Sequence, residues 1–324
     1  MKAVASFERR SVVGVMEVRR NRRVSRRKRL GILHTPSEPH APSCLRSIRA
    51  FMRAAARQDL DPVVLEKDEA GRLDTVDALF IRDLTSPRNH TFDFARAAET
   101  RGMPVLDDAA SIVSCSDKGW LHETLARCGI PAPRGLILTA ATPVSAAIEE
   151  LGLPLVLKLP EGSFSNGVYR ASSIGEARTR LMELFRRSNI VVAQEYMETA
   201  FDWRVGVLAG EPLFACRYHM APGHWQIVNH AGENPGEGEV EPLPLASAPA
   251  EAVALALEAS ALVGRGLYGV DIKERGGAFY VIEVNDNPDL HHDLEASRQN
   301  RVWDRLAGWF AERAGAGAAI PAAA

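Results

Sequence analysis

Three short apolar runs, Leu30-Gly31-Ile32-Leu33-His34, Pro62-Val63-Val64-Leu65 and Ala78-Leu79-Phe80-Ile81-Arg82, follow one another early in the chain. Each is shorter than a helix needs and has little polar alternation, so each reads as a buried strand. Cys44 to Arg57 and Phe92 to Arg101 carry apolar residues at helical spacing instead. Strands alternating with helices predict a small parallel α/β domain over residues 30–115. Ligands of such sheets collect at the carboxyl ends of the strands, which is where Arg82 stands.

The pattern changes at Asp117. A helix runs to about Cys128, Gly129-Ile130-Pro131-Ala132-Pro133 breaks it, and strands joined by Gly-rich turns follow. One helix, about Glu176 to Arg187, interrupts those strands, and another, about Pro249 to Gly264, precedes a last hairpin. The expected division is a basic arm without regular structure over residues 1–29, the α/β domain over 30–115, an α+β region over 116–312 and a frayed Ala-rich tail over 313–324.

Composition narrows the class. With 324 residues, 46% hydrophobic and 25% charged, the chain is neither collagenous nor disordered and has room for a core and a cleft. No uncharged apolar run approaches the ~18 residues of a membrane span. Cys44, Cys115, Cys128 and Cys216 lie far apart without a C-x-x-C pair, which argues against a zinc ribbon, a redox motif or a secreted disulfide framework. A cytoplasmic location is therefore expected.

The net charge of -2 hides an asymmetry, because residues 1 to 30 hold 11 Lys/Arg against Glu8 and Glu17 while the remainder is acidic. Such an arm can grip polyanions. It carries no interleaved aromatic residues to stack on bases, so a solvated leader is favoured over nucleic-acid binding, with an organelle transit segment as a minor alternative.

Two familiar patterns fail on context. Gly264-Arg265-Gly266-Leu267-Tyr268-Gly269 spells a dinucleotide fingerprint, but a helix precedes it and a strand follows, the reverse of the required order. Gly162 to Gly167 opens like a P-loop, yet Val168-Tyr169 stand where Lys-Ser/Thr would hold phosphate and magnesium. His219, His224 and the pair His291-His292 lack zinc-site spacing and read as ordinary hydrogen-bonded histidines.

Three groups remain. Lys158 closes the apolar strand Leu155-Val156-Leu157-Lys158-Leu159, where its ammonium needs an anionic partner. Glu161, Gly162, Ser163 and Gly167 belong to the flexible loop that follows, whose peptide N–H groups suit phosphate oxygens. A plain surface hairpin with a snorkelling lysine is the competing reading.

The second group is the hairpin Leu267–Lys273 and Phe279–Asn285 around Gly276-Gly277. Alternation sends Val270, Ile272, Tyr280, Ile282 and Val284 to one face and Asp271, Glu283 and Asn285 to the other. With the turn centred on Gly277, Asp271 lies directly opposite Glu283, at a Cβ separation of about 5 Å. Like charges so placed need a cation or a shared proton, and two carboxylates with an amide suit magnesium better than zinc. In the third group, Gln194-Glu195-Tyr196-Met197 ends a strand as a candidate adenine edge. Arg204 and Arg217 fall on neighbouring antiparallel strands and are expected to aim at one anionic centre, with pairing to nearby glutamates as the alternative.

Taken in order, Asp117-Lys118, Gly129-Ile130-Pro131-Ala132-Pro133, Lys158 with its loop, Gln194-Glu195-Tyr196, Asp202-Trp203-Arg204, Arg217, Asn229, Asp271 and Glu283-Val284-Asn285 resemble the ATP-grasp superfamily. Within it, the likeness is to the RimK-like glutamate ligases, over about residues 30–312. Phe201 to Leu208, Gly223 to Ile227 and Val284 to Pro288 look like a subfamily that usually carries a further domain in front, so a shortened or independently started version is expected.

The resemblance implies an α/β domain followed by two α+β lobes that clamp ATP. Lys118 and Lys158 would meet the phosphates, with Asn229 close by, Glu195, Tyr196 and Met197 the adenine, and Asp202 the ribose. Asp271, Glu283 and Asn285 would hold two Mg2+ ions, for which Mn2+ is an acceptable substitute. Arg217 would steady the tetrahedral intermediate, and Arg82 and Arg204 would meet a substrate carboxylate. The implied reaction activates a carboxylate as an acylphosphate and transfers it to an amine, with glutamate or a related amino acid joined to a peptide, protein or small acceptor. A homo-oligomer is compatible with this reading, and a catalytically inactive ATP-binding regulatory protein is the alternative. One departure, Asp286-Asn287-Pro288-Asp289 in place of a small-residue turn, leaves the amino-acid specificity open.

Overall fold

The structure, a computed structural model, describes residues 26–36, 45–162, 166–229, 236–291, 294 and 301–314. Its first unit runs β1 (Lys28–Leu33), α1 (Leu45–Arg57), β2 (Leu60–Leu65), β3 (Ala78–Ile81), α2 (His90–Thr100), β4 (Val105–Leu106) and α3 (Ala109–Ser116). The strands form a parallel sheet in the order β2-β1-β3-β4. β1 begins at Lys28, inside the stretch expected to lack regular structure. The ladder with β2 continues through Lys28 and Arg29, Arg29 N donates to the Asp77 carboxylate at 2.7 Å, and Arg26, Arg27 and Arg29 pair with Asp77, Asp59 and Asp61 at 3.8, 2.8 and 3.5 Å. The rest of the arm, residues 1–25, and Cys44 lie outside the described residues.

The second unit contains α4 (Lys118–Arg127), β5 (Gly135–Thr139), α5 (Val144–Leu151), β6 (Leu155–Lys158), β7 (Val168–Ala171), α6 (Ile174–Leu184) and β8 (Ile190–Glu195). Its antiparallel sheet has the order β5-β8-β6-β7, and α5 and α6 supply Ala147, Leu151, Ala177, Leu181 and Leu184 to the core beneath it. The sequence reading passes over α5 because two helical turns with two buried apolar positions leave a weak periodic signal.

The third unit runs β9 (Phe201–Leu208), β10 (Glu211–His219), β11 (Val228–Asn229), β12 (Gly236–Glu237), β13 (Val240–Leu243), α7 (Ala250–Ala261), β14 (Leu267–Arg275), β15 (Ala278–Asp286) and α8 (Val302–Arg313). Its main sheet has the order β13-β10-β9-β14-β15. One face packs Trp203, Val205, Val207, Val270 and Ile272 against α7. The other carries Leu208, Phe214 and Leu267 into a core shared with β1, β3, α1 and α8. α8 therefore returns from the end of the described chain to the first unit, where Phe310 packs against Phe51 and Phe80 at centroid distances of 6.2 and 5.4 Å.

Two β-bulges set which side chains face the cleft. β14 and β15 turn through Gly276 and Gly277 at φ +63° and +79°, the left-handed pair of a two-residue hairpin. That turn pairs Arg275 with Ala278, and a register shift between Asp271 and Ile272 then brings Asp271 opposite Glu283. The extra residue corrects the expected faces. Val281, not Ile282, opposes Ile272 and is buried with it, while Ile282 borders the cleft with Glu283. A second shift lies between Pro212 and Phe214 in β10.

A buried polar weld joins the first unit to the end of β15. The Asp107 carboxylate accepts from Leu267 N at 2.6 Å and from Asn287 N at 3.0 Å, and Asn287 Nδ2 donates to Asp83 O at 2.6 Å. Arg82 donates to Asn287 Oδ1 and, at 2.8 Å, to Pro288 O. Asn287 holds φ +47°, a left-handed conformation these bonds sustain. No helix among the described residues is long and apolar enough to cross a membrane.

Phe310 is fully buried between units. Phe310→Ala should cost about 3–5 kcal/mol from lost transfer energy and the cavity left behind. Equilibrium urea unfolding should show a lower midpoint.

Candidate active site

A cavity of about 520 Å³ lies where the three units meet. Its walls include the loop after β3, the start of α4, the inward faces of β6 and β8, and the polar face of β9, β10, β14 and β15. On that face, register puts Asp271 between Arg204 of β9 and Glu283 of β15. Arg204 grips both carboxylate oxygens of Asp271, Nε to Oδ1 at 2.6 Å and Nη2 to Oδ2 at 2.7 Å. Burial alone would lower the Arg204 pKa, but Asp271 holds it well above the ordinary value, while burial, against the pull of Arg204, leaves the Asp271 carboxyl above its own usual range. Asn285 Nδ2 donates to Asp271 Oδ2 at 3.1 Å, leaving its amide oxygen as an acceptor.

Lysines occupy the opposite wall. Asp117 caps α4 by accepting from Gly119 N and Trp120 N at 2.9 and 3.0 Å, and so sets Lys118 at the mouth of the helix. Lys118 Nζ lies 2.8 Å from Glu283 Oε1 and donates to Gly162 O at 2.5 Å. Burial pushes the Glu283 carboxyl up, but Lys118, with Lys158 and Arg204 nearby, outweighs it and leaves the pKa below the usual value. Lys158 donates to the neutral amide of Gln194 at 2.7 Å, and desolvation pulls its pKa down to about 8.

Asp202 also borders the cavity, bound to Lys273 Nζ at 2.6 Å and to Thr199 Oγ1 at 2.9 Å. The sequence reading overlooks Lys273, although it stands two residues beyond Asp271 on the same strand, and period two places both on one face. Glu195, the last residue of β8, and Tyr196 and Met197 beyond it edge the cavity. The Glu195 side chain is held by Arg134 and Arg275 at 3.2 and 3.5 Å. Tyr196 is covered by Arg170 and meets Trp225 edge-on at 5.9 Å.

In the loop after β6, Glu161 is exposed and reaches Arg88 at 2.9 Å. Gly162 and Gly167 hold φ +158° and +74°. A Cβ at Gly167 would lie 2.7 Å from Leu159 Cδ1. Ser163 lies outside the described residues. Val228 lines the cavity whereas Asn229, its neighbour on β11, does not. His219 meets Glu241 at 3.3 Å and His224 accepts from Gln226 N at 3.2 Å, in keeping with ordinary hydrogen-bonded histidines, while His292 lies outside the described residues.

Two expected arginine positions need correction. Arg204 pairs with Cys216, and Arg217 with Trp203, so the two guanidinium groups occupy opposite faces of the sheet. The bulge between Pro212 and Phe214 is the cause, because a one-residue slip moves every later side chain to the other face. Arg217 consequently packs over Phe201 and Trp203, each at 4.9 Å, and meets Glu241 at 3.3 Å, while Tyr218 comes to the cavity with Arg204 above its ring. Arg82 is 0% exposed and spent on the Asn287–Pro288 turn, out of reach of a substrate carboxylate. Burial lowers its pKa to about 10, still above neutrality, and Asp289, Asp107, Asp286 and Asp83 stabilise the cation.

No group of three His, Cys, Asp or Glu side chains that could hold a metal occurs among the described residues. The oxygen donors Asp271, Glu283 and Asn285 nonetheless share one face, and two carboxylates with an amide oxygen fit a hard divalent cation.

The family model described as the RimK-like ATP-grasp domain matches residues 115–301, more than half of the chain. The chain belongs to the RimK-like ATP-grasp family, a class of ATP-dependent ligases that join a carboxylate to an amine. Among its relatives, a glutamate–LysW ligase of Sulfolobus acidocaldarius is 27% identical over 198 residues, covering 59% of this chain and 67% of its own. A probable alpha-L-glutamate ligase of Maridesulfovibrio salexigens is 27% identical over 260 residues, covering 78% and 80%. A D-alanine–D-alanine ligase from Bacillus anthracis superposes with a TM-score of 0.70 at 18% identity, covering 89% of this chain and 97% of its own, a likeness of fold.

With a nucleotide phosphate as the partner of Lys158, affinity should be highest below pH 8, where the ammonium is charged, and should fall as pH rises through about 8. One linked proton limits that fall to about tenfold per pH unit. Titration of a non-hydrolysable ATP analogue from pH 7 to 9.5 measures it, and Lys158→Gln should bind more weakly at pH 7 with a flatter profile.

Proposed function

We propose that the protein uses ATP to activate a substrate carboxylate and couples it to an amine, adding glutamate or a related amino acid to a peptide, protein or small acceptor. One observation carries the reading. Asp271 and Glu283 face each other across a ladder, and Lys118 and Lys158 border the same cavity. Phosphoryl transfer needs charge neutralised and groups aligned more than it needs a side-chain nucleophile, and the wall supplies charge in that form.

In the first step a carboxylate oxygen forms a bond to the γ-phosphorus as the bond between that phosphorus and the β,γ-bridging oxygen breaks, giving an acylphosphate and ADP. In the second the amine nitrogen bonds to the carbonyl carbon, inorganic phosphate leaves, and a proton is lost to form the amide. Lys118 and Lys158 are assigned to the phosphates, the strand end at Glu195 to Met197 to the base, and Asp202 to the ribose. Asp271, Glu283 and Asn285 would hold Mg2+, whose part when bound is to screen the phosphate oxygens and polarise the transferred phosphoryl group. Arg204, fixed on Asp271 and bordering the cavity, is the guanidinium available to steady negative charge on the reacting carbonyl.

Asp286, Asp289 and Glu237 also border the cavity and suit an amine. Burial pushes the Asp286 pKa up to about 7, so this carboxyl is suited to hold or pass on a proton near neutrality. The two relatives named as glutamate ligases support glutamate as the added group.

Glu283→Ala should reduce acceptor-dependent ADP formation by on the order of a hundredfold or more, as removal of one transition-state stabiliser does elsewhere. Assay of ADP release with Mg2+ over a panel of amino acids and acceptors, with mass spectrometry of the product, measures this. Full turnover by the variant would refute the metal assignment, and ATP binding without turnover across the panel would point to the inactive regulatory alternative.

A further inference from the structure

Both carboxylates of the candidate metal site already carry a cation supplied by the chain, and the two cations are held in different ways. Arg204 is a cross-strand neighbour of Asp271 in a continuous sheet, occupies both of its oxygens and rests on the Tyr218 ring with 4.5 Å between guanidinium carbon and ring centroid. Ladder register, side-chain packing and two charge-assisted bonds all fix it there. Lys118 reaches Glu283 from the first turn of a helix in another unit, through a four-carbon stem, with one contact of 2.8 Å to the carboxylate. Its second partner is the carbonyl of Gly162, in the loop assigned to the phosphates.

Lys118 therefore bridges the loop and the carboxylate, and a phosphate arriving between them would compete for both contacts. Lys158 lies in the same cavity, hydrogen-bonded to an uncharged amide. It attracts the phosphate and repels the Lys118 ammonium, so the pull on Lys118 comes from one charge and a push from the other. Until that happens the pair Asp271 and Glu283 is matched by two internal positive charges, and a divalent cation meets no net attraction there.

We propose that Lys118 is a placeholder: it occupies Glu283 until nucleotide phosphate draws it away, so that the carboxylate opens to a divalent cation only when the nucleotide is in place. Lys118 thus acts as a positioning residue that orders the binding of the two partners. The inference rests on the ligase reading of this cavity and adds a sequence of events to it. It also separates the roles of the two carboxylates. Asp271 is permanently oriented by Arg204, and Glu283 is the ligand that switches.

The test uses the full-length chain and Mn2+ as the probe, with free and bound Mn2+ counted by electron paramagnetic resonance in the absence of nucleotide. Lys118→Met and Lys118→Gln should bind Mn2+ at least about tenfold more tightly than the wild type, since one positive charge beside the site has been removed. Lys118→Arg, which keeps the charge, should stay within a few-fold of the wild type. Circular dichroism and urea midpoints establish that each variant is folded. Should any one of them fail to fold, the wild type still bears on the proposal, because Mn2+ saturation of the nucleotide-free wild type at the concentration that saturates a folded neutral variant would overturn it. Equal Mn2+ affinity in wild type and neutral variants would do the same. Metal-free ATP analogue, titrated separately into the wild type, distinguishes the two levels of the argument. Analogue binding with unchanged Mn2+ affinity in the neutral variants removes the placeholder alone, whereas absence of analogue binding with and without Mn2+ removes the nucleotide reading on which it stands.

Discussion

The contact between Arg204 and Asp271 organises the site. The two residues face each other on β9 and β14, so backbone register sets their side chains side by side. A buried carboxylate on a polar sheet face would otherwise be uncompensated. Removing one partner of such a pair typically costs about 3–5 kcal/mol, because the other charge is left buried alone. With Asp271 so held, Glu283 and Asn285 acquire a fixed neighbour, and the three oxygen-bearing groups form a wall against which Lys118 and Lys158 are set.

Much of this wall is legible in the sequence because strand periodicity is a local rule. Asp271, Glu283 and Asn285 share a face by alternation, Gly276-Gly277 marks the turn, and Lys158 stands out as a charge closing an apolar strand. What alternation misses is the inserted residue. The expected pairing of Asp271 with Glu283 holds for a different reason from the one the spacing suggests, since a tighter turn and a bulge offset one another. In β10 nothing offsets the bulge. Arg217 turns to the α7 side and Tyr218 takes the position facing Arg204. Bulges arise from how a strand meets two neighbours and the layer beneath, and a single strand's composition carries little trace of that.

Arg82 teaches the same lesson at longer range. Its place at the carboxyl end of a parallel strand is where ligands gather, and the sequence supports a binding role. The partners that claim it, Asn287 and Pro288, come from the far end of the chain, and their approach depends on how whole units pack. The expected binding residue becomes a structural one, which ties the first unit to the segment directly after Asn285. The departure at Asp286-Asn287-Pro288-Asp289 is thus explained in part by architecture: the Asn287 side chain satisfies the Asp83 carbonyl and Arg82 together, which a small residue lacks the groups to do, while the bond to Asp107 comes from its backbone N–H.

The return of α8 to the first unit bears on how the protein is made. A chain leaves the ribosome from its amino end, and domains generally fold as they emerge. Here Phe51 and Phe80 wait for Trp303 and Phe310, which are among the last described residues to be synthesised. The face of the parallel sheet that α1 covers in part is therefore sealed only when α8, made later, packs over Phe51 and Phe80.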